Sequence, residues 1–241
     1  MKKLYIALSL SALLGLPFDT SGQTPAKDTH DEIEQTTKAA TIFREIMSAP
    51  DKAIPRRVLD EADCIAVFPQ VIKAAFGVGG RGGRGLAVCR TAKGWSAPAY
   101  LNIGGGSFGF QIGVESTDYV MLFMTPESAK SLLQNNVKLG GNISVAAGPI
   151  GREAEAATDL KLNAQILAYS RSKGLFAGVA LEGAVIETAE GDMRDVYGPN
   201  VTAKSVLFDG TVKVPQEVTA FAKTIESFTS GSAATSGTIK R

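Results

Sequence analysis

Phe76-Gly-Val-Gly-Gly-Arg81-Gly-Gly-Arg84-Gly-Leu-Ala-Val-Cys89-Arg90 sets six glycines around Arg81 and Arg84, between β-like runs at 74–78 and 85–90. Glycine lets a backbone turn sharply or approach another group closely. Arginine brings a fixed-charge fork that suits phosphate or carboxylate. Three readings follow: a nucleotide loop, a contact with anionic lipid, or a tight structural hairpin. Gly77-x-Gly79-x-x-Gly82 matches the dinucleotide fingerprint in letters, but that fingerprint must open a helix whose N-terminus meets the pyrophosphate. Here a strand-like run follows, and the chain has no Gly-Lys-Ser/Thr of a phosphate loop. Nucleotide binding is set aside.

Downstream, residues 95–124 read as β structure. Leu101 and Ile103 alternate on odd positions, whereas Phe108, Phe110, Ile112 and Val114 fall on even ones. The phase change places a bulge or bend within Gly104-Gly105-Gly106. Gly109, Gln111 and Gly113 share the face opposite the phenylalanines, and such a bare face admits another backbone or a ligand. The apolar run 119–124 reads as a strand buried on both sides.

Outside this centre, helices are expected at both ends. Residues 28–48 carry Ile33, Ala40, Phe43, Ile46 and Met47 on one face, and Pro50 ends the pattern. Short helices are expected over 55–62 and from Thr125-Pro126 to about 134, with Thr125 as cap. Further strands are expected at 142–147, 165–169 and 175–186, with a last helix at 215–228. Lys173-Gly174 reads as a turn. Residues 28–228 form one domain, and the Ser/Thr/Gly/Ala-rich 229–241 reads as a disordered tail. The fold class expected is α+β: a large, mostly antiparallel, glycine-rich sheet, partly closed into a barrel and flanked by N- and C-terminal helices.

Catalytic patterns fail in context. Gly105-x-Ser107-x-Gly109 resembles a nucleophile elbow, but the one histidine, His30, lies upstream and the motif sits in a β-rich stretch. Ser170-x-x-Lys173 lacks the partner motifs of penicillin-recognising enzymes. One histidine and two distant cysteines do not make a zinc site of familiar spacing. No cofactor and no metal are expected, and the chain reads as non-catalytic. Glu182 interrupts the apolar run 175–186; it reads as a buried carboxylate paired with Arg152 or Arg81, or as a ligand-facing acid.

The chain has 241 residues and a formal net charge of +1. Removing residues 1–22, which hold Lys2, Lys3 and Asp19, leaves the remainder neutral. No basic footprint for nucleic acid remains. Residues 1–22 read as a signal peptide, with Lys2-Lys3 before the apolar 4–16 and small residues at Thr20-Ser21-Gly22. A periplasmic or secreted protein, soluble or peripherally membrane-associated, is expected. Cys64 and Cys89 each lie in an apolar run. An oxidising compartment permits a disulfide, but the plainer reading is two buried thiols.

One ordered set of segments carries a resemblance. It comprises Asp51-Lys-x-Ile54-Pro55, Val71-Ile-Lys-Ala74, Arg81-Gly-Gly-Arg-Gly85 and Trp95-Ser-Ala-Pro98. It continues with Gly109-Phe-Gln-Ile-Gly113-Val-Glu115, Leu139-Gly-Gly-Asn142, Gly148-Pro-Ile-Gly-Arg152 and Leu175-Phe-Ala-Gly-Val-Ala-Leu-Glu-Gly183. Across about residues 40–210 the chain resembles the SYLF domain, a module of bacteria that in yeast and animals is joined to Src-homology-3 domains. The resemblance implies binding to phospholipid membranes, without catalysis; actin bundling belongs to the eukaryotic relatives. It makes Arg81, Arg84 and Arg152 the candidate headgroup contacts. The Phe108/Phe110/Ile112 face would pack the core or line an acyl pocket. The N-terminal helix departs from that picture. It sets Asp28, Asp31, Glu32, Glu34 and Glu45 against Lys38 and Arg44, a charge that an anionic membrane repels.

Overall fold

The computed structural model describes residues 29–49, 53–141, 143–151 and 164–229, the side chains of 75–78 and 107–112 excepted. The expected signal peptide, the tail beyond Thr229, Arg152 and the side chains of Phe108 and Phe110 lie outside the described residues.

Two long strands make the centre. β1 (Cys64–Thr91) pairs antiparallel along its length with β3 (Ala99–Phe123), and β2 (Gly94–Trp95) forms the turn-back between them. The Gly/Arg stretch is therefore not a hairpin turn. Gly79 to Gly82 pair in register with Gly104 to Ser107, inside one continuous ribbon. The expected irregularity is displaced too. Gly80, Arg81 and Gly82 meet Gly106, Gly105 and Gly104 without a slip. The register instead shifts between Phe76 and Gly77, where β3 skips Phe110 and Gln111, and again between Phe68 and Val71. Unpaired residues bend a strand and deepen its twist.

That bending brings the ribbon round on itself. A straight strand would hold Cys64 and Cys89 about 80 Å apart, yet their Cα atoms lie 4.0 Å apart and the two form a disulfide. The reading of two buried thiols is corrected: the run of residues between them looks extended, and only the curl brings its ends together. The Arg90 amide also donates to the Asp63 carbonyl at 2.8 Å. Gly85 is required at this closure, because a Cβ there would overlap the Phe68 ring and come within 2.6 Å of the Val67 carbonyl oxygen.

The outer edge of β3 is filled by two further strands. β4 (Val137–Lys138) and β5 (Val145–Ala147) come first in the chain, followed by β6 (Ile166–Ser172), β7 (Leu175–Gly178) and β8 (Val185–Thr188). β8 pairs with the start of β3, and β6 with its end. β4 joins β8, and β7 joins β6; among the described strands, β5 runs parallel to its neighbour β6 and the other pairs are antiparallel. The outcome is the expected α+β fold with a large, curled, mostly antiparallel sheet. The expected strand over 175–186 is two strands with a turn between. Glu182 stands exposed on that turn, so it is not a buried carboxylate.

Helices cover the convex side. α1 (His30–Met47) buries Ala39, Ala40, Phe43 and Ile46, so its apolar stripe belongs to the core rather than to a membrane. α2 (Arg56–Glu61) begins just after Pro55. α3 (Pro126–Ser131) has the expected Thr125 cap, with a capping box to Ser128. α4 (Glu190–Tyr197) and α5 (Ala203–Leu207) were not foreseen, although Thr202 and Ser205 form a second capping box. A 3-10 turn (Gln216–Val218) leads into α6 (Ala220–Thr229). α6 packs on α1 through Phe228 and Phe43, with ring centroids 5.9 Å apart. It is tied to β2 by the Trp95 indole, which donates to Thr229 Oγ1 at 2.9 Å.

Candidate functional site: the arginines of the glycine-rich ribbon

Arg81 and Arg84 are three residues apart on one regular strand, so their side chains leave opposite faces. The structure does not bring them to one headgroup. Arg84 lies on the face covered by helices. Its guanidinium meets Asp192 of α4 at 2.7 Å, Glu32 of α1 at 3.4 Å and Asp31 at 3.9 Å. The hydrogen bond to Asp192 is the main influence raising its pKa, against the cost of burial. Arg84 thus clamps two helices to the ribbon.

Arg81 lies on the other face, which the curl turns inward, beside Gly83 and Gly85. Gly83 lies against Val71 and Gly85 against Phe68. The Arg81 side chain is half-buried, and its Nε is buried with no hydrogen-bond partner among the described residues. Tyr119 is nearby: burial raises its pKa, while the Arg81 charge pulls it back down. A buried guanidinium N–H without an acceptor is costly.

A groove of about 590 Å³ opens between the outer side of α1 and the sheet, lined in part by Thr37, Thr41, Gln70, Ser116, Arg171 and Lys173. Arg171 crosses it. Its Nε and one terminal nitrogen donate to Asp118 Oδ2 at 3.0 and 2.8 Å, and the other donates to Glu45 of α1. Burial lowers the Arg171 pKa, but these carboxylates outweigh it and the net shift is upward. Gln70 and Lys173 are the non-glycine residues with positive φ, 50° and 48°, among the described residues. The Gln70 amide is held by Asp118 Oδ1 at 2.9 Å. Sequence reasoning did not single out Arg171. Its partners lie 53 and 126 residues away, and only the Lys173-Gly174 turn beside it was legible.

The family described as Ysc84, Las17-binding protein actin regulator, has a model that matches residues 104–228, more than half of the chain. The chain belongs to the Ysc84, or SYLF, family. It is 40% identical over 203 residues to Protein YSC84 of Saccharomyces cerevisiae, across 80% of this chain and 43% of that one. LAS seventeen-binding protein 3 of the same yeast gives 40% over 203 residues, across 80% and 44%. SH3 domain-containing YSC84-like protein 1 of Homo sapiens gives 37% over 202 residues, across 81% and 58%. The chain spans about half the length of these curated relatives. The motif Arg81-Gly-Gly-Arg-Gly85 is one stretch of strand whose two arginines lie in different settings: Arg84 meets the helices, and Arg81 faces the inside of the curl. No helix among the described residues is long and apolar enough to cross a membrane.

Proposed function

We propose that the chain is a non-catalytic module that binds anionic phospholipid at a membrane surface, in the periplasm or secreted. The observation that carries this reading is the Arg81 Nε, a buried cationic donor without an acceptor among the described residues, on the inward face of a glycine-rich ribbon. A phosphate oxygen supplies what that donor lacks, with the charge assistance that strengthens such bonds. Phe108 and Phe110 of β3 are the candidate acyl contacts, and Arg152 a second headgroup contact. Export is supported by the Lys2-Lys3 and apolar 4–16 pattern and by the Cys64–Cys89 disulfide, a bond favoured in oxidising compartments.

The test is co-sedimentation with phosphatidylglycerol vesicles against phosphatidylcholine vesicles, with native mass spectrometry for a co-purified lipid. Arg81→Gln should weaken binding to the anionic vesicles several-fold, while Arg84→Gln should leave it near the parental value. Unchanged binding by Arg81→Gln would sink the assignment. Cell fractionation tests the location, and a cytoplasmic, unprocessed chain would overturn it. A second reading is an interaction protein of the envelope without a lipid site. It is favoured by the engagement of Arg84 within the fold, and by relatives named for binding another protein. A chain that ignores both vesicle types would favour it.

A further inference from the structure

Glu32 is 5% exposed, on the first turn of α1. Its Oε1 accepts from Arg84 at 3.4 Å, but Oε2 is buried without a hydrogen-bond partner among the described residues. The chain places this carboxylate next to two more. Asp192 and Asp195 lie three apart on α4 and so share a face. One carboxylate oxygen from each of Glu32, Asp192 and Asp195 falls within 4.8 Å of the others. Arg84 is also in contact with Asp192 and Asp31, so one guanidinium serves several acids. One turn along α1, Gln35 donates to the Gly85 carbonyl at 3.0 Å, and its Oε1 is a second buried acceptor without a donor among the described residues.

Burying carboxylate oxygens without donors is expensive. Arg84 meets Glu32 Oε1 at a long 3.4 Å and leaves Oε2 without a donor among the described residues, and the neighbouring Asp192 carboxylate adds to that cost. A hard cation meets both demands at once, since oxygen-only donor sets suit calcium, magnesium or manganese. We propose that Glu32, Asp192 and Asp195 bind a divalent cation of the calcium type, which fastens the start of α1 to α4 beside Arg84. The site is independent of the lipid reading: it lies on the helix-covered face of the ribbon, opposite Arg81.

Calcium is the probe, titrated calorimetrically into chelator-treated protein, with terbium as an optical reporter. The Tyr100 hydroxyl lies 3.4 Å from the Glu32 carbonyl oxygen, close enough to sensitise terbium emission at this site. One saturable site is expected, with a Kd of about 10⁻⁵ to 10⁻³ M and a higher Tm with calcium than with chelator. Asp195→Asn, on a partly exposed position, should keep the fold by circular dichroism and lose at least about tenfold in affinity, one ligand's worth of 1.4 kcal/mol or more. Glu32→Gln should do the same. Glu34→Gln serves as control, because His30, Asp31 and Glu34 form a second acidic group on the exposed side of α1. Absence of saturable binding overturns the proposal. So does binding that survives both Asp195→Asn and Glu32→Gln, or that is lost only in Glu34→Gln.

Discussion

Cys64 and Cys89, near the two ends of β1, are bonded to each other although they lie 25 positions apart on one strand. The bond closes the curl of the ribbon just where Gly85 packs on Phe68. A cross-link over a loop of this length removes denatured-state entropy worth about 3–4 kcal/mol. Urea unfolding with and without reductant should show a loss of that order, as should Cys64→Ala with Cys89→Ala. Equal midpoints would mean that the closure is held by packing alone.

Gly85→Ala should be more damaging than its single methyl group suggests. The new Cβ would meet the Phe68 ring and the Val67 backbone oxygen, and backbone cannot rotate away as a side chain can. Overpacking of this kind costs about 1–3 kcal/mol. Gly82→Ala, where nothing lies within 4 Å of the new Cβ, is the matched control and should be far milder. The comparison is read from the two urea midpoints.

Tyr100 gives a pH dependence with a definite sign. Its hydroxyl is buried beside Thr36 Oγ1 at 3.1 Å, and burial raises its pKa from 10.0 to about 12. The folded state therefore keeps a proton that the unfolded state releases near pH 10. Stability contributed by Tyr100 is whole below about pH 10 and is lost as pH rises toward 12. Tyr169 and Tyr197 are shifted upward by burial as well. Alkaline titration followed by circular dichroism and tyrosinate absorbance should show unfolding accompanying ionisation, and Tyr100→Phe should flatten part of that fall.

Arg171 joins α1 to the sheet through Glu45 and Asp118. Asp118 is only 13% exposed, so Arg171→Gln leaves a poorly solvated carboxylate behind. A loss of about 1.5–3 kcal/mol is expected, the range for hydrogen bonds to charged groups. Hydrogen exchange should locate it along α1 and β6. Protection that is unchanged in α1 would show that the apolar stripe alone holds the helix.

Patterns local to the chain were legible from the residues. The stripe Ala40/Phe43/Ile46 marked α1, Thr125-Pro126 marked the start of α3, and the unbroken apolar run 119–124 marked a strand buried on both faces. Each depends on period, cap chemistry or fixed φ, and these act within a few residues. The ordered motifs carried family membership differently, by their resemblance to relatives rather than by any period. The short α4 and α5 escaped notice because elements of eight and five residues carry too few turns for a clear period.

What separated from the sequence reading was everything set by the curl. Whether Gly77–Gly85 turns or runs straight depends on a partner strand some 25 residues on, because glycine permits both. Whether Cys64 and Cys89 are thiols or a disulfide depends on where the ribbon's two ends finish. Arg81 and Arg84 look like one basic motif in the chain. In the folded protein, strand alternation sends Arg84 to the carboxylates of α1 and α4, and leaves Arg81 facing inward with a donor unmet among the described residues. Sequence determined the periodic elements, through short-range sterics and hydrophobic spacing, and its ordered motifs carried the resemblance to the family. Tertiary structure alone decided partners, because ion pairs and disulfides form between groups that only long-range closure brings within a few ångströms.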